Sequence, residues 1–356
     1  MKSNRHCALI LTAASLLPLI ARDAAAQERS QIASLAGMWR FAIGDDLARA
    51  NSGFNDRGWD SIAVPSPWEN QGYPGYDGYA WYRKHFTVRP EWREKVLYLT
   101  LGTVDDVDEV FVNGEFIGFS GDFPPHYATA YAAAREYPLP QRLLNYAGDN
   151  VIAVRVYDQE ISGGITSGSV GITQQLDPLH PAASLAGRWK IMTGDDFLWK
   201  ESGYDDQYWR EINVPAFWET EGMKGYDGFA WYRLHFLPPV SLQGKKLTLV
   251  LGKIDDLDET FLNGERIGRT GSARRMRDRE VGGDEYRDLR AYDIPTDALR
   301  FEGDNVIAVR VLDTWRHGGI YDGPVGIVEQ SKYAEWRDRQ QRERRRPWDV
   351  FWDFFR

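Results

Sequence analysis

Two strand-like segments, 150 residues apart, pair an aromatic with a cationic side chain. They read Trp81-Tyr82-Arg83 and Trp231-Tyr232-Arg233. Side chains alternate along a strand, so Trp and Arg share one face in each segment. If that face is exposed, the indole can stack on a sugar ring while the guanidinium donates paired hydrogen bonds to hydroxyls or a carboxylate. The alternative is that Trp81 packs in the core and Arg83 pairs with a nearby aspartate.

Glycine-rich loops just before these segments hold a second pair of candidate ligand-binding residues. The loops contain Tyr76-Asp77-Gly78 and Tyr226-Asp227-Gly228. At the end of a β-sandwich, an aspartate can accept hydrogen bonds from sugar hydroxyls beside a stacking tyrosine. The alternative is a turn that the aspartate side chain holds through its own hydrogen bonds.

Three carboxylates within four residues follow a predicted strand in each half of the chain. They are Asp105-Asp106-x-Asp108 and Asp255-Asp256-x-Asp258. Oxygen-rich clusters can bind Ca²⁺, although this spacing differs from that of an EF-hand loop. The alternative is that the aspartates cap a turn and accept hydrogen bonds from Arg83 or Tyr82. Apart from Ca²⁺, the sequence suggests no cofactor, no other metal site and no catalytic residues.

These candidates occur twice because most of the chain is duplicated. From Ser34 to Gly118 the distinctive residues recur 150 positions later, and after a short insertion 149–156 recurs as 304–311. A repeat of this length is a whole domain rather than a solenoid unit. We predict module one at 34–174, a proline-containing linker at 175–183, module two at 184–330 and a charged, aromatic tail at 331–356.

The elements that position the candidates are predicted to be strands. Short apolar or β-branched runs bounded by turn residues lie at 96–101, 151–156, 247–251 and 306–311. Asn113-Gly114 and Asn263-Gly264 favour type I′ hairpin turns. The pattern predicts an all-β protein of two tandem jelly-roll sandwiches followed by a short helical tail.

The two modules differ most in the segments 119–148 and 269–303. Module one has Phe123-Pro124-Pro125-His126-Tyr127, whereas module two has a stretch rich in arginine between 274 and 279. If both modules bind sugars, these loops should give them different preferences.

Residues 1–26 have the pattern of a cleaved secretory signal. Lys2 and Arg5 precede an apolar run at 8–20, and three alanines at 24–26 resemble a cleavage site. The apolar run is shorter than a membrane span requires, so we expect a periplasmic or secreted protein without a transmembrane segment. The single cysteine, Cys7, lies in this signal, which excludes disulfides and thiolate chemistry in the mature chain. A net charge of −9 argues against nucleic acid as a partner.

The ordered motifs resemble a known family. Val64–Gly118 and Val214–Gly268 are similar to the sugar-binding jelly-roll domain of family 2 glycoside hydrolases, the β-galactosidase group, and most similar to the version in bacterial sialate O-acetylesterases. Each copy also has the motif Asp-x-x-x-x-Gly-Gly-Ile, at 158–165 and 313–320. The resemblance implies a galactose-binding-like sandwich in which Asp158, and Asp313 with Trp315, touch the sugar. Glu160 replaces the tryptophan in the first copy.

The resemblance does not extend to a catalytic domain. No barrel follows the modules, and the Gly-Asp-Ser signature of the related esterases is missing. The leading hypothesis is therefore a secreted or periplasmic carbohydrate-binding protein without a catalytic centre, accessory to glycan degradation. One alternative is a glycoside hydrolase or glycan esterase that uses Asp and Glu at a module end. The other is a structural protein of the cell envelope.

The tail could supply contacts for any of these functions. Residues 332–346 favour a charged helix that ends before Pro347. Beyond it, Trp348, Phe351, Trp352 and Phe355 would form an apolar stripe along a helix. We expect this stripe to contact a membrane surface, a hydrolase or envelope partner, or an apolar patch of module two.

Overall fold

The computed structural model describes residues 29–280, 285–314 and 317–344. The predicted signal, Trp315 and the aromatic stripe at 348–355 lie outside the described residues.

Module one is a sandwich of two antiparallel sheets. One sheet has six strands in the order β3-β2-β4-β9-β6-β7, and the other has four in the order β1-β10-β5-β8. The strands are β1 (Arg29–Ser34), β2 (Gly37–Ile43), β3 (Asp60–Val64), β4 (Gly78–Phe86), β5 (Leu97–Asp105), β6 (Val107–Val112), β7 (Glu115–Ser120), β8 (Ala134–Pro138), β9 (Asn150–Asp158) and β10 (Gly164–Gln175).

Module two repeats this topology with the sheets β13-β12-β14-β19-β16-β17 and β11-β20-β15-β18. Its strands are β11 (Ala183–Ser184), β12 (Gly187–Thr193), β13 (Arg210–Val214), β14 (Gly228–Phe236), β15 (Leu247–Asp255), β16 (Leu257–Leu262), β17 (Glu265–Thr270), β18 (Leu289–Ile294), β19 (Asn305–Asp313) and β20 (Gly319–Glu329). The described residues also form two α-helices, α1 (Ala273–Asp278) and α2 (Gln330–Arg344), besides short 3-10 turns. The predicted all-β architecture of two jelly-roll sandwiches is confirmed.

The core of each module lies between its two sheets. In module one, alternate side chains of β4 and β5, among them Tyr82, Leu99 and Leu101, are fully buried there. Trp39 and Trp68 of this core are also buried, as are their counterparts Trp189 and Trp218 in module two. Much of the aromatic content therefore fills the interior, which leaves fewer rings for ligands than the composition suggests.

The Asn-Gly turns adopt the backbone that the sequence predicts. Asn113 and Gly114 join β6 to β7 with φ values of 53° and 92°, and Asn263 and Gly264 have 52° and 90°. Positive φ at both central residues is the geometry of a type I′ turn, which suits the twist of a two-stranded hairpin.

The linker and α2 pack together on module two. Leu179 of the linker is buried against Val250 and Val328, and Trp336 of α2 contacts the same cluster. The Trp336 indole N–H donates a 2.9 Å hydrogen bond to the Asp177 carbonyl. The described part of the predicted tail thus lies against its own chain, and no helix among the described residues is long and apolar enough to cross a membrane.

The modules contact each other through side chains that are not equivalent in the two repeats. The Tyr98 hydroxyl on β5 donates a 3.3 Å hydrogen bond to Asp322 on β20. On β7, the ring of Phe119 packs edge-on against Phe217, with ring centres 6.2 Å apart. Because the contacting residues are not equivalent in the two repeats, the modules pack against each other asymmetrically.

Candidate functional site

The Trp and Arg of β4 share a face, as predicted, but that face is covered. Trp81 and Arg83 are both fully buried, because the segment 44–59 folds over the outer surface of the six-stranded sheet. Arg83 Nε donates a 2.8 Å hydrogen bond to Asp56, and Arg83 Nη1 donates one of 3.0 Å to the Asn51 carbonyl. The ligand-binding assignment of Trp81 and Arg83 is therefore corrected: they hold this covering segment on the sheet.

The same correction applies to module two. Trp231 and Arg233 are fully buried. Arg233 Nε donates a 2.7 Å hydrogen bond to Asp206, and the Trp231 indole donates one of 3.1 Å to Asp195. A ligand cannot reach these side chains without displacing the segment that covers them.

The loop tyrosines also have structural partners. The Tyr76 hydroxyl donates to the Tyr79 carbonyl at 2.7 Å and accepts from the Gly44 amide at 3.3 Å. Tyr226 makes the equivalent bonds to Phe229 and Gly194, at 2.5 and 3.2 Å. These hydroxyls tie two loops together and the rings are half-buried, so Tyr76 and Tyr226 have a structural role. The alternative had given the turn-holding role to Asp77 and Asp227 instead.

The aspartates that follow these tyrosines are both exposed, but their surroundings differ. Asp227 lines a cleft of about 470 Å³ between the modules, whereas Asp77 does not. The cleft is also lined by Glu109, Phe119, Gly121, Asp122, Phe123, His126 and His317. One predicted ligand residue of module two thus faces the divergent loop of module one.

Neighbouring side chains hold the Phe123 ring, which forms the aromatic wall of this cleft. The Phe123 ring stacks on Tyr79 with centres 5.8 Å apart and planes within 7°. The Arg155 guanidinium lies 4.3 Å from the Phe123 ring centre and donates a 3.0 Å hydrogen bond to Glu109. Packing of this kind fixes the ring plane before any ligand arrives, which lowers the entropy cost of binding.

A second polar feature, at one end of module one, is a cluster of carboxylates. Asp105, Asp106 and Asp158 each place one oxygen within 4.8 Å of the others. Burial raises the pKa of Asp158 to about 7, and the charges of Asp106 and Asp105 add to this effect. Asp106 accepts hydrogen bonds from Thr129 at 2.5 Å and from the Gln159 amide at 3.0 Å.

Asp108 does not belong to this cluster. It is fully buried and accepts hydrogen bonds from Arg135 Nε at 2.6 Å and from the Tyr137 hydroxyl at 2.5 Å. Asp258 has the equivalent partners Arg290 and Tyr292. The predicted grouping of Asp108 with its two neighbours was wrong, because it lies on β6 with its carboxylate toward β8. The arginine that the turn-capping alternative assigned to these aspartates was also wrong: Arg135, not Arg83, pairs with Asp108.

The matching end of module two keeps part of this arrangement. Asp313 is fully buried, like Asp158, and the Thr314 amide donates a 3.3 Å hydrogen bond to Asp256. Burial raises the pKa of Glu219 to about 8, and its carboxylate accepts from the Gly318 amide at 3.3 Å. Trp315, the proposed sugar contact, lies outside the described residues.

The residues that line the cleft could not be recognised from the duplication. Phe119, Phe123, His126 and His317 are not repeated between the modules, so a search for duplicated residues passes over them. The available signal was the divergence of 119–148, which indicated different preferences but not a shared cleft.

Part of module one is similar to a β domain found in β-galactosidases. Residues 54–162 match the family described as the β-galactosidase second all-β domain. A β-galactosidase of Priestia megaterium is 31% identical over 154 residues, which is 35% of this chain and 14% of the relative. A β-galactosidase of Bacteroides ovatus is 30% identical over 144 residues, covering 34% of this chain and 15% of the relative.

Solved structures give a weaker likeness. A Bacteroides uniformis β-glucuronidase aligns over 80% of this chain and 28% of its own, at 17% identity and a TM-score of 0.35, too low to relate the arrangements of the two proteins. The closer resemblance to sialate O-acetylesterases stays a prediction. This chain thus spans about one seventh of the β-galactosidases it matches, and its residues 54–162 are similar to a β domain of that group.

Proposed function

We propose that this protein is a secreted or periplasmic carbohydrate-binding protein whose site is the cleft between the modules. One observation carries the proposal. The cleft is lined both by the Phe123 ring, which its packing holds in place, and by the exposed carboxylate of Asp227. Its volume of about 470 Å³ lies within the range of small-molecule sites.

The side chains suit a sugar in two complementary ways. The flat Phe123 ring offers an apolar surface to the C–H face of a pyranose. Carboxylates at Asp227 and Glu109 accept hydrogen bonds from hydroxyls, and such charge-assisted bonds are stronger than neutral ones. His126 adds a polar group on the same wall.

The relatives support an accessory role beside glycan degradation. They are β-galactosidases by name, and this chain matches only a small part of each. We propose that the protein holds a galactose-containing glycan without cleaving it, and that a hydrolase on another polypeptide, contacted through the tail, acts on the bound glycan.

Calorimetry of the mature protein with galactose, glucuronic acid and galactose-terminated oligosaccharides tests this function. We expect binding, and Asp227→Ala should weaken it about tenfold or more because a sugar hydroxyl loses a charged acceptor. Phe123→Ala should weaken binding as well. Asp77→Ala is the matched control, since Asp77 is the exposed counterpart of Asp227 in module one and lies outside the cleft.

Two results would contradict the proposal. Equal effects of Asp77→Ala and Asp227→Ala would exclude the cleft as the binding site. Release of product from aryl glycosides or acetylated sugars by the purified protein would favour the hydrolase or esterase alternative.

A further inference from the structure

The carboxylate cluster of module one has a property that the proposed sugar site does not use. Asp158 is fully buried, and neither of its carboxylate oxygens has a hydrogen-bond partner among the described residues. Burying a carboxylate without partners is costly. Elsewhere the fold avoids this cost, as at Asp108, which has both Arg135 and Tyr137 as donors.

The cation next to this cluster cannot neutralise it. The charge of Arg135 acts on Asp105, but its guanidinium is already committed to other acceptors. Nε donates to Asp108, and Nη2 donates to the carbonyls of Val104 and Asp106 at 2.8 and 2.9 Å. Glu69 adds further negative charge near Asp158. The cluster therefore has an excess of negative charge that the described side chains do not balance.

The geometry suits a hard divalent cation. The three carboxylates converge so that one oxygen of each lies within 4.8 Å of the others, which is about twice a Ca²⁺–oxygen bond of roughly 2.4 Å. All the ligands are oxygens, which excludes a preference for soft metals. Asp105 is half-exposed, so solvent can reach the cluster and water can complete the coordination.

We propose that Asp105, Asp106 and Asp158 form a Ca²⁺ site in module one. The site takes residues from the ends of β5 and β9 and from the turn between β5 and β6, so a bound ion would join these strands at one end of the sandwich. Asp158 supplies the ligand with no other partner, and Asp106 is oriented by Thr129 and the Gln159 amide.

Thermal unfolding and calorimetry with CaCl₂, in the absence of sugar, test this site. The mature protein is first freed of metal with EDTA. We expect a dissociation constant of about 10⁻⁴ to 10⁻³ M, as in other extracellular modules. At 100 times that concentration the melting temperature of module one should rise by roughly 5 °C.

The variant Asp158→Asn distinguishes a metal-binding role of this carboxylate from a purely structural one. In EDTA this variant should melt at or above the wild-type temperature, since it removes a buried charge without a partner. It should also lose the rise with Ca²⁺. Asp77→Asn is the control, because Asp77 is a nearby but exposed carboxylate outside the cluster, and it should keep the full response.

Three outcomes would overturn the proposal. They are no Ca²⁺ response of the wild-type protein, an unchanged response of Asp158→Asn, and a response to MgCl₂ as large as that to CaCl₂. If Asp158→Asn does not fold, Asp105→Asn gives the same test at the half-exposed ligand. Retained sugar binding in a variant that has lost the Ca²⁺ response would leave the cleft proposal intact.

Discussion

At the scale of single residues, the covering segment of module one depends on one carboxylate with two cationic partners. Asp56 accepts a hydrogen bond from Arg83 and lies 3.2 Å from His85 Nε2. His85 Nδ1 is in turn hydrogen-bonded to Asp149. Burial alone would lower the pKa of His85, but the two aspartates outweigh it and raise the pKa. When it is protonated, His85 therefore links β4 to the segment over its outer face through an ion pair with Asp56.

This linkage predicts a pH dependence of stability. A histidine with a raised pKa in the folded state stabilises fully below its unfolded pKa of about 6.5, and this contribution is lost as the pH rises through the folded pKa. We expect His85→Gln to reduce the free energy of unfolding more at pH 5.5 than at pH 9, as measured by urea denaturation. The control is His180→Gln, at an exposed linker position. An equal loss at both pH values would exclude the proposed role of His85⁺.

At the scale of the elements, the close approach of β5 and β10 requires a residue without a side chain. Gly102 has a φ of +65°, and a Cβ built on it would lie 1.9 Å from the Ser167 carbonyl oxygen. A Cβ built on Gly252 would likewise lie 1.7 Å from the Asp322 carbonyl oxygen. The repeat of Leu-Gly at both positions therefore reflects strand packing rather than ligand binding.

The prediction for this element is a large loss of stability in Gly102→Ala. The left-handed backbone and the clash with backbone atoms together should cost about 3 kcal/mol or more in the free energy of unfolding. Gly58→Ala is the control, since its Cβ would meet no atom within 4 Å. Urea denaturation of both variants measures the difference, and similar midpoints would contradict the packing argument.

Strand periodicity, the Asn-Gly turns and the duplication were enough to predict the fold, because each is a local property of the chain. The site was harder to predict. The alternation of Trp81 and Arg83 correctly gave a shared face, but it could not show that residues 44–59 cover that face. The acidic run correctly placed Asp105 and Asp106 together, whereas Asp158 joins them through the pairing of β9 with β6, more than 50 residues away in the chain.

At the scale of the whole molecule, α2 fixes the linker. Trp336 packs with Leu179 on module two and donates to the Asp177 carbonyl, while Arg339 forms a 2.9 Å ion pair with the Asp177 side chain. The linker between the modules is thus held at Asp177 and Leu179 by a helix that follows both modules in the chain.

Loosening this contact should expose the linker. We expect Trp336→Ala to speed amide hydrogen exchange across residues 175–183, because local opening then breaks fewer apolar contacts. Glu335→Ala, at an exposed position of the same helix, should leave exchange unchanged. Exchange rates that are equal in the two variants would show that the linker is held by other contacts.

The position of α2 also makes corresponding surfaces of the two modules differ. In module one, β5 presents Tyr98 to the neighbouring module, whereas in module two the equivalent sheet is occupied at Val250 by the helix. The exposed counterpart of Phe119 is Arg269, which offers a charge instead of a ring. Module two therefore presents a different surface at the position where module one contacts its neighbour, because α2 covers it.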